Sequence, residues 1–382
     1  MRLRNTLMIG QITICAFLLV CSGVCIRGAR AMEAFDPGVK TRGAMFAQLS
    51  EKNRPQALRR LAAERAVESI AAVSSVPLDG LAPSLTISVA GRGITLRAWH
   101  NHVSHEFFHV LDVRLLAGRT FTAAEEKESA PVVILSELAA RTLWPKGSAV
   151  GREIEIRREP EDNWGEALPK YSKVRVVGVA RNIITCSVPY GPDPSLVYFP
   201  TAVDGHTALV ARVNGDVETV RRKVASDLDA TFPGALQQIH PMDQAFAGNV
   251  YPFRVASWVG LALGGLALLL TLSGIYGVLS YLITQRTKEI GIRMALGATS
   301  GAVARLVLRQ SGRLALIGIC IGAAMALGVS RLMASHLVFI NTFDALAYGG
   351  GIVLVAVSAL AAAYIPSRRA ARIDPGTTLR YD

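Results

Sequence analysis

Residues 255–283 read VASWVGLALGGLALLLTLSGIYGVLSYLI, a run of 29 positions without a charged side chain. A hydrocarbon core of about 30 Å is crossed by about 20 residues of α-helix. The run therefore predicts a transmembrane helix, and it sets the scale for three others. Leu7–Ile26 holds 20 uncharged residues and Ala345–Ile365 holds 21. Leu314–Ser330 holds 17 and is bounded by Arg313 and Arg331, whose apolar stems can lie along it while their heads reach the interfaces. The order is one span, a long stretch of mixed composition, then three spans close together. The whole chain of 382 residues is 51% hydrophobic and 18% charged, against about 25% charged in a typical soluble domain. This layout excludes most soluble enzymes.

Basic residues in short loops set orientation. Arg2 and Arg4 precede the first run. Arg286, Lys288, Arg293, Arg305, Arg309 and Arg313 lie between the second and third, and Arg368, Arg369, Arg372 and Arg380 follow the fourth. The opposite short loop, around Arg331 to Asp344, carries one of each sign. Both termini and Gln285–Arg313 are therefore expected inside, and Arg30–Tyr251 outside. Arg27 and Arg30 run against the rule, from which long translocated domains largely escape. Most of the net charge of +12 is thus juxtamembrane. That suits anionic lipid rather than nucleic acid, which would need a basic face on the soluble domain. Leu7–Ile26 is longer than a signal-peptide core of about 7–15 residues and reads as an uncleaved anchor. Cys186 alone falls in the outer stretch, so no internal disulfide is expected there.

Within that stretch, Thr41–Leu49, Arg54–Ala66 and Val67–Val73 read as strand, helix and strand. Ala208–Val213, Asp216–Thr231 and Ala235–Ile239 repeat the pattern. Between the halves lie short strands at Leu85–Val89, Val132–Leu135, Arg152–Arg157 and Val174–Val179. The expected fold is an α+β membrane protein. It has four transmembrane helices, with a large extracytoplasmic split α/β domain carrying a mostly β insertion between helices 1 and 2. The expected boundaries are residues 1–27 for the first span, 28–250 for the outer domain, 251–366 for the three remaining spans with a cytoplasmic helix at 286–298, and 367–382 for a cytoplasmic tail.

Two motifs carry chemistry. His105-Glu106-Phe107-Phe108-His109 matches H-E-x-x-H, which on a helix places two imidazoles on one face to hold zinc, with the glutamate as base. No third ligand stands at the short spacing, and Val103, Phe107, Phe108 and Leu111 equally make a core-facing stripe. His105 and His109 are thus weak metal candidates. The second motif is QRTKEIGIRMALGA at 285–298. It reads as a short helix with Glu289 and Arg293 paired at i,i+4, Ile290 and Met294 as an apolar stripe, and Gly297 as its C-terminal cap. In the spans, Gly260 and Gly264, and Gly318 and Gly322, stand four apart and allow close helix approach. G-x-x-x-x-G-K-[ST] does not occur.

Arg286–Ala298 resembles the signature loop of MacB/FtsX-type ABC transporter permeases. Pro366-Ser-Arg-Arg-Ala-Ala-Arg-Ile-Asp-Pro375 with Leu379-Arg380 resembles the end of the same family. In the outer stretch, Val103-Ser104, Phe107-Phe108, Leu115–Arg119, Leu143-Trp144-Pro145, Val150-Gly151 and Val176–Val179 also fit it. The H-E-x-x-H pattern is not part of the family's motif. The chain is similar to the second half of long duplicated permeases. The resemblance implies a MacB-like periplasmic core domain in a multi-pass protein of the inner membrane. It implies a cytoplasmic ABC ATPase that binds ATP and Mg, with no cofactor in this chain. It also implies a second permease half, in a homodimer or heterodimer, and periplasmic or outer-membrane factors as further partners. ATP hydrolysis would move the outer domain for export or for handling lipoproteins, peptides or antimicrobials. Arg286, Lys288, Glu289, Ile290, Arg293, Met294 and Gly297 would meet the ATPase. Two readings stay open beside it: a non-transporting relay to cell-wall hydrolases, and a membrane-anchored zinc hydrolase using His105, Glu106 and His109.

Overall fold

A computed structural model describes residues 2–79, 82–91, 93–158, 171–185, 188–190, 195–204, 207–285 and 300–370. The chain divides into two compact units. One is Met1–Glu33 with Tyr251–Asp382, and the other is Ala34–Val250.

The first unit is helical. Its elements are α1 (Arg2–Glu33), most of α7 (Met242–Gln285), α8 (Ser300–Ala334) and α9 (Ala345–Ala370). All four are long and apolar enough to cross a membrane. Helix α1 is the most enclosed. Its Met8, Ile12, Cys15, Ala16 and Leu19 are buried against Ile275 of α7, Ala315 and Ile319 of α8, and Val355, Ala359 and Ala362 of α9. The outward faces are just as apolar. Trp258, Leu269, Leu316, Leu332, Leu346 and Val353 are all exposed, as a hydrocarbon solvent permits.

Both expected glycine pairs meet α1. A Cβ on Gly318 would stand 2.8 Å from the Ile12 side chain, and one on Gly322 2.6 Å from the Thr13 carbonyl oxygen. On α7, a Cβ at Gly260 would lie 2.2 Å from Ser22 Oγ, and one at Gly264 2.9 Å from Leu19. The Thr13 hydroxyl donates to the Gly318 carbonyl at 3.3 Å. Arg27, against the charge rule in the sequence, pairs with Asp344, whose other oxygen caps α9 through the Leu346 and Ala347 amides. Arg254 pairs with Glu33.

Among the described residues the second unit carries an eleven-stranded sheet. Its strands are β1 (Ala44–Leu49), β2 (Val67–Val73), β3 (Ser84–Ser88), β4 (Thr95–Val103), β5 (Leu115–Gly118), β6 (Val132–Ser136), β7 (Glu153–Arg158), β8 (Lys173–Ala180), β9 (Leu196–Pro200), β10 (Ala208–Val213) and β11 (Leu236–Pro241). At one end the order is β11-β1-β10-β2, all antiparallel. Helices α2 (Arg54–Ala62) and α6 (Val217–Thr231) cover one face. There Met45, Ala47, Leu49, Leu209, Ala211 and Val213 pack with Ala57, Leu61, Val220, Val224 and Leu228. Each expected strand–helix–strand half is present, but its two strands are not neighbours. Strand β10 lies between β1 and β2, and β1 lies between β10 and β11, so the halves interleave. Asp216 caps α6, its side chain accepting from the Thr219 amide at 2.9 Å.

The insertion is a closed ring. Strand β4 pairs with β3 on one side and with β9, in parallel, on the other. The path β3-β7-β8-β6-β9 completes it. Leu85, Ile87, Ala98, Val133, Leu135, Ile154, Val174, Val176 and Val197 belong to its core, with Leu143 and Trp144. Leu143 belongs to α5 (Glu137–Leu143), and Trp144 is that helix's C-cap. Ring closure pairs β3, β4, β6, β7, β8 and β9 on both sides, and among the described residues β5 pairs with β8 alone. Strands β4, β5 and β9 were not expected from the sequence. The expected helix to Ala66 ends at Ala62, and the expected strand from Thr41 starts at Ala44.

Candidate functional site

The segment expected to meet an ATPase, with Arg286, Lys288, Glu289, Ile290, Arg293, Met294 and Gly297, lies outside the described residues. What the structure describes is its frame. Helix α7 delivers the chain at Gln285 and α8 takes it up at Ser300. Beyond it Arg309 and Arg313, four residues apart on α8, are both exposed. The tail from residue 371 also lies outside the described residues.

The histidine cluster does not form the arrangement its spacing suggested. His100 and His102 lie on β4, where His102 stacks on Phe199 of β9 with ring centroids 5.3 Å apart. Burial pushes the His102 pKa down to about 4. The helix α3 is only Phe107–Val110, so His105 precedes it and His109 alone of the pair is on it. Glu126, at the end of α4 (Ala123–Lys127) and 5% exposed, accepts from the His105 amide and lies 2.9 Å from its Nδ1. Glu106 Oε1 lies 3.2 Å from His105 Nε2 and its Oε2 3.8 Å from His109 Nδ1. The imidazole of His105 is therefore occupied on both sides by carboxylates. Among the described residues no group of three His, Cys, Asp or Glu side chains is placed to hold a metal ion.

Phe107 and Phe108 point inward instead. They meet at 5.4 Å and pack on Tyr198 at 5.8 and 5.2 Å. Ser104, fully buried, ties this corner to β2: its hydroxyl accepts from the Ala72 amide at 2.9 Å and its own amide donates to the Ala72 carbonyl at 3.1 Å.

Two segments that the sequence linked only by resemblance are brought together. Leu115–Gly118 is β5 and pairs with β8, setting Gly118 opposite Gly178. Gly118 has φ +75°, and a Cβ there would stand 2.2 Å from the Val177 carbonyl oxygen; one on Gly178 would stand 2.5 Å from the Arg119 carbonyl. Only two glycines permit this approach. Arg119 then turns outward and grips Glu125 with two bonds of 2.8 and 2.7 Å. Hydrogen bonding to Arg119, with capping bonds to Thr122, holds the Glu125 carboxyl down at about 2. Trp144 is buried with the Arg152 guanidinium 5.6 Å over its ring. These segments build and brace the ring; none converges on a reactive centre. Sequence reasoning missed Glu126 and Asn101, both buried, because an acid or an amide in the chain gives no sign that the fold will enclose it.

The family described as MacB-like periplasmic core domain matches residues 7–230, and the FtsX-like permease C-terminal family matches residues 261–375. An uncharacterized ABC transporter permease of Bacillus subtilis, YknZ, is 24% identical over 293 residues, 74% of this chain and 70% of its own length. The macrolide export ATP-binding/permease protein MacB of Agrobacterium fabrum is 28% identical over 332 residues, 82% of this chain and 48% of that protein. The chain thus spans about half the length of the MacB relatives it matches. Among solved structures, the periplasmic region of MacB from Actinobacillus actinomycetemcomitans aligns with 54% of the chain and 92% of that region, at 14% identity and a TM-score of 0.38.

Proposed function

Since the chain belongs to the MacB/FtsX-type family of ABC transporter permeases, its MacB-like match alone covering more than half of it, we propose that it is the membrane-spanning subunit of such a transporter. The observation that carries the reading is the conjunction of both family segments in one chain. The MacB-like match, residues 7–230, takes in the first apolar helix and most of the outer unit, and the FtsX-like match, residues 261–375, takes in part of the second apolar helix and all of the third and fourth. The names of the MacB relatives join an ATP-binding and a permease part, and the match covers about half of each. The sequence holds no phosphate-loop motif. On this reading ATP and Mg are bound by a separate cytoplasmic ATPase, and its closure on a pair of permease subunits moves the outer domains. The work is export, or the handling of a lipoprotein, peptide or antimicrobial outside the membrane. The protein sits in the inner membrane with both termini inside, as the basic residues direct.

Coupling is assigned to the loop between α7 and α8, the one short charged segment that joins two spans on the basic side. Glu289 and Arg293 make the polar contacts, with Ile290 and Met294 beneath. Reversing one surface charge changes stability by about 0.5 kcal/mol or less, so Arg293→Glu is expected to insert and fold normally. It should also lose co-purification with the ATPase and the ATP hydrolysis that depends on the complex. Retention of both in Arg293→Glu and in Glu289→Arg would sink the coupling role.

A further inference from the structure

The outer unit contains a groove of about 640 Å³ at one end of the β11-β1-β10-β2 sheet, a size that suits a small ligand. Its walls come from the end of β1, the loop after β2, the starts of β10 and β11, and the first residue of α2. They include Phe46, Gln48, Glu51, Arg54, Asp79 and Gln238.

The wall after β2 is held in place from behind. Asn101, fully buried on β4, accepts from the Ser74 hydroxyl at 3.0 Å and the Ser75 amide at 3.1 Å, and donates to the Ser75 carbonyl at 2.7 Å. Leu78 is buried with φ +71°, a conformation that costs a leucine about 1 kcal/mol or more. The Leu78 amide donates to the Thr185 carbonyl at 2.9 Å, and its own carbonyl accepts from Asn249 at 3.0 Å. This loop is set before any ligand arrives.

Arg54 is the unusual member. It is 4% exposed, and one of its terminal nitrogens donates to the Thr207 carbonyl. Its Nε is buried and has no hydrogen-bond acceptor among the described residues. A buried guanidinium N–H without an acceptor is among the costlier defects a protein can keep. Burial lowers the Arg54 pKa from its ordinary value, and the nearby Asp204 and Glu51 carboxylates oppose that shift. Asp79 faces the same space, its carboxyl pKa raised by burial and opposed by His240. Among the described residues the lining therefore carries one cation against two carboxylates, a donor that lacks an acceptor, and several side-chain amides.

We propose that this groove binds a short peptide through its free amino terminus, with Asp79 and Glu51 taking the ammonium, Arg54 donating to a backbone carbonyl, and Gln48 and Gln238 pairing with the amides that follow. The site rests on the outer unit alone, and the permease reading does not depend on it.

The test is calorimetric titration of the full chain in detergent, without ATPase, using trialanine, N-acetyl-trialanine and trialanine amide. Trialanine should bind saturably. Acetylation removes the ammonium and should weaken binding about tenfold or more, while the C-terminal amide should change it little. Asp79→Asn should weaken trialanine and leave the acetylated form unchanged. Arg54→Gln should weaken all three, but that side chain is buried and the variant can fail to fold. Gln238→Trp, at an exposed position, fills the groove and should abolish binding with the thermal unfolding transition unchanged. The proposal is overturned by absence of saturable heat with trialanine up to about 10 mM. It is equally overturned by equal binding of the acetylated form, or by undiminished binding in a folded Gln238→Trp variant.

Discussion

The ring of strands in the outer unit and the cluster of helices around α1 are both packed cores, but different residues make them specific. In the ring, large apolar side chains such as Leu85, Leu135 and Val197 fill the core, and burial against water selects them. Around α1 the outward side chains are as apolar as the inward ones, so transfer from water does not distinguish faces. Backbone proximity does. Gly260, Gly264, Gly318 and Gly322 sit where α1 touches, and a methyl group at any of them would collide. Volume holds the first core together, and the lack of it holds the second.

The largest expected effect breaks the first core. Leu135 is fully buried in β6, and Leu135→Ala should cost the outer unit about 3–4 kcal/mol. Differential scanning calorimetry of the full chain in detergent would read this as a lowered transition. Val357→Ala on the outward face of α9, where Val357 is exposed, should be near neutral and serves as the contrast. Next comes the reverse experiment. Gly322→Val adds volume and should cost the helical unit about 2–3 kcal/mol, since the atom in the way is the backbone oxygen of Thr13. Unfolding in mixed micelles would measure it. A variant as stable as the parent would mean that close approach is not what holds α1.

The smallest effect concerns pH and the outer unit only. In the folded chain burial holds His102 at about 4, below its ordinary value of 6.5. Above pH 6.5 the ring is neutral in both states and the contribution is complete. As pH falls from 6.5 towards 4 the unfolded chain takes up the proton first, and stability is lost. Allowing for partial exposure of the ring, the loss is about 2 kcal/mol. The slope should vanish in His102→Phe, which keeps the stacking on Phe199; an unchanged slope would assign it to other groups.

What could be read in the sequence follows the same division. Val67–Val73 and Ala208–Val213 were found with the bounds they have in the structure, because β-branched residues recur along both, Val67, Ile70 and Val73 in one and Val210 and Val213 in the other. Spans were found because hydrocarbon imposes a length. Strand β4 was missed because His100 and Asn101 are polar and buried and His102 is half-buried. Their burial is made by β9, nearly a hundred residues later, which no local pattern announces. The H-E-x-x-H spacing suggested one helix face, but the chain turns at Ser104 and Glu126 captures His105 before the helix begins. The glycine pairs were legible as means of approach, and the structure supplied the helix they approach. The resemblance motifs at Leu115–Arg119 and Val176–Val179 were legible as signatures; that they are two sides of one glycine contact was not.

The enclosure of α1 has a consequence for how the protein is made. Thr13 reaches the Gly318 carbonyl across 305 positions of chain. At about 5–20 residues per second, the partner emerges about 15–60 s after the helix it must join. Until α7 is made, up to Gln285, α1 stands in the bilayer without any of its three partners, and α8 and α9 follow later still. A nascent chain arrested before residue 250 should therefore display α1 to crosslinking by whatever insertion machinery or lipid surrounds it, and release to full length should withdraw it.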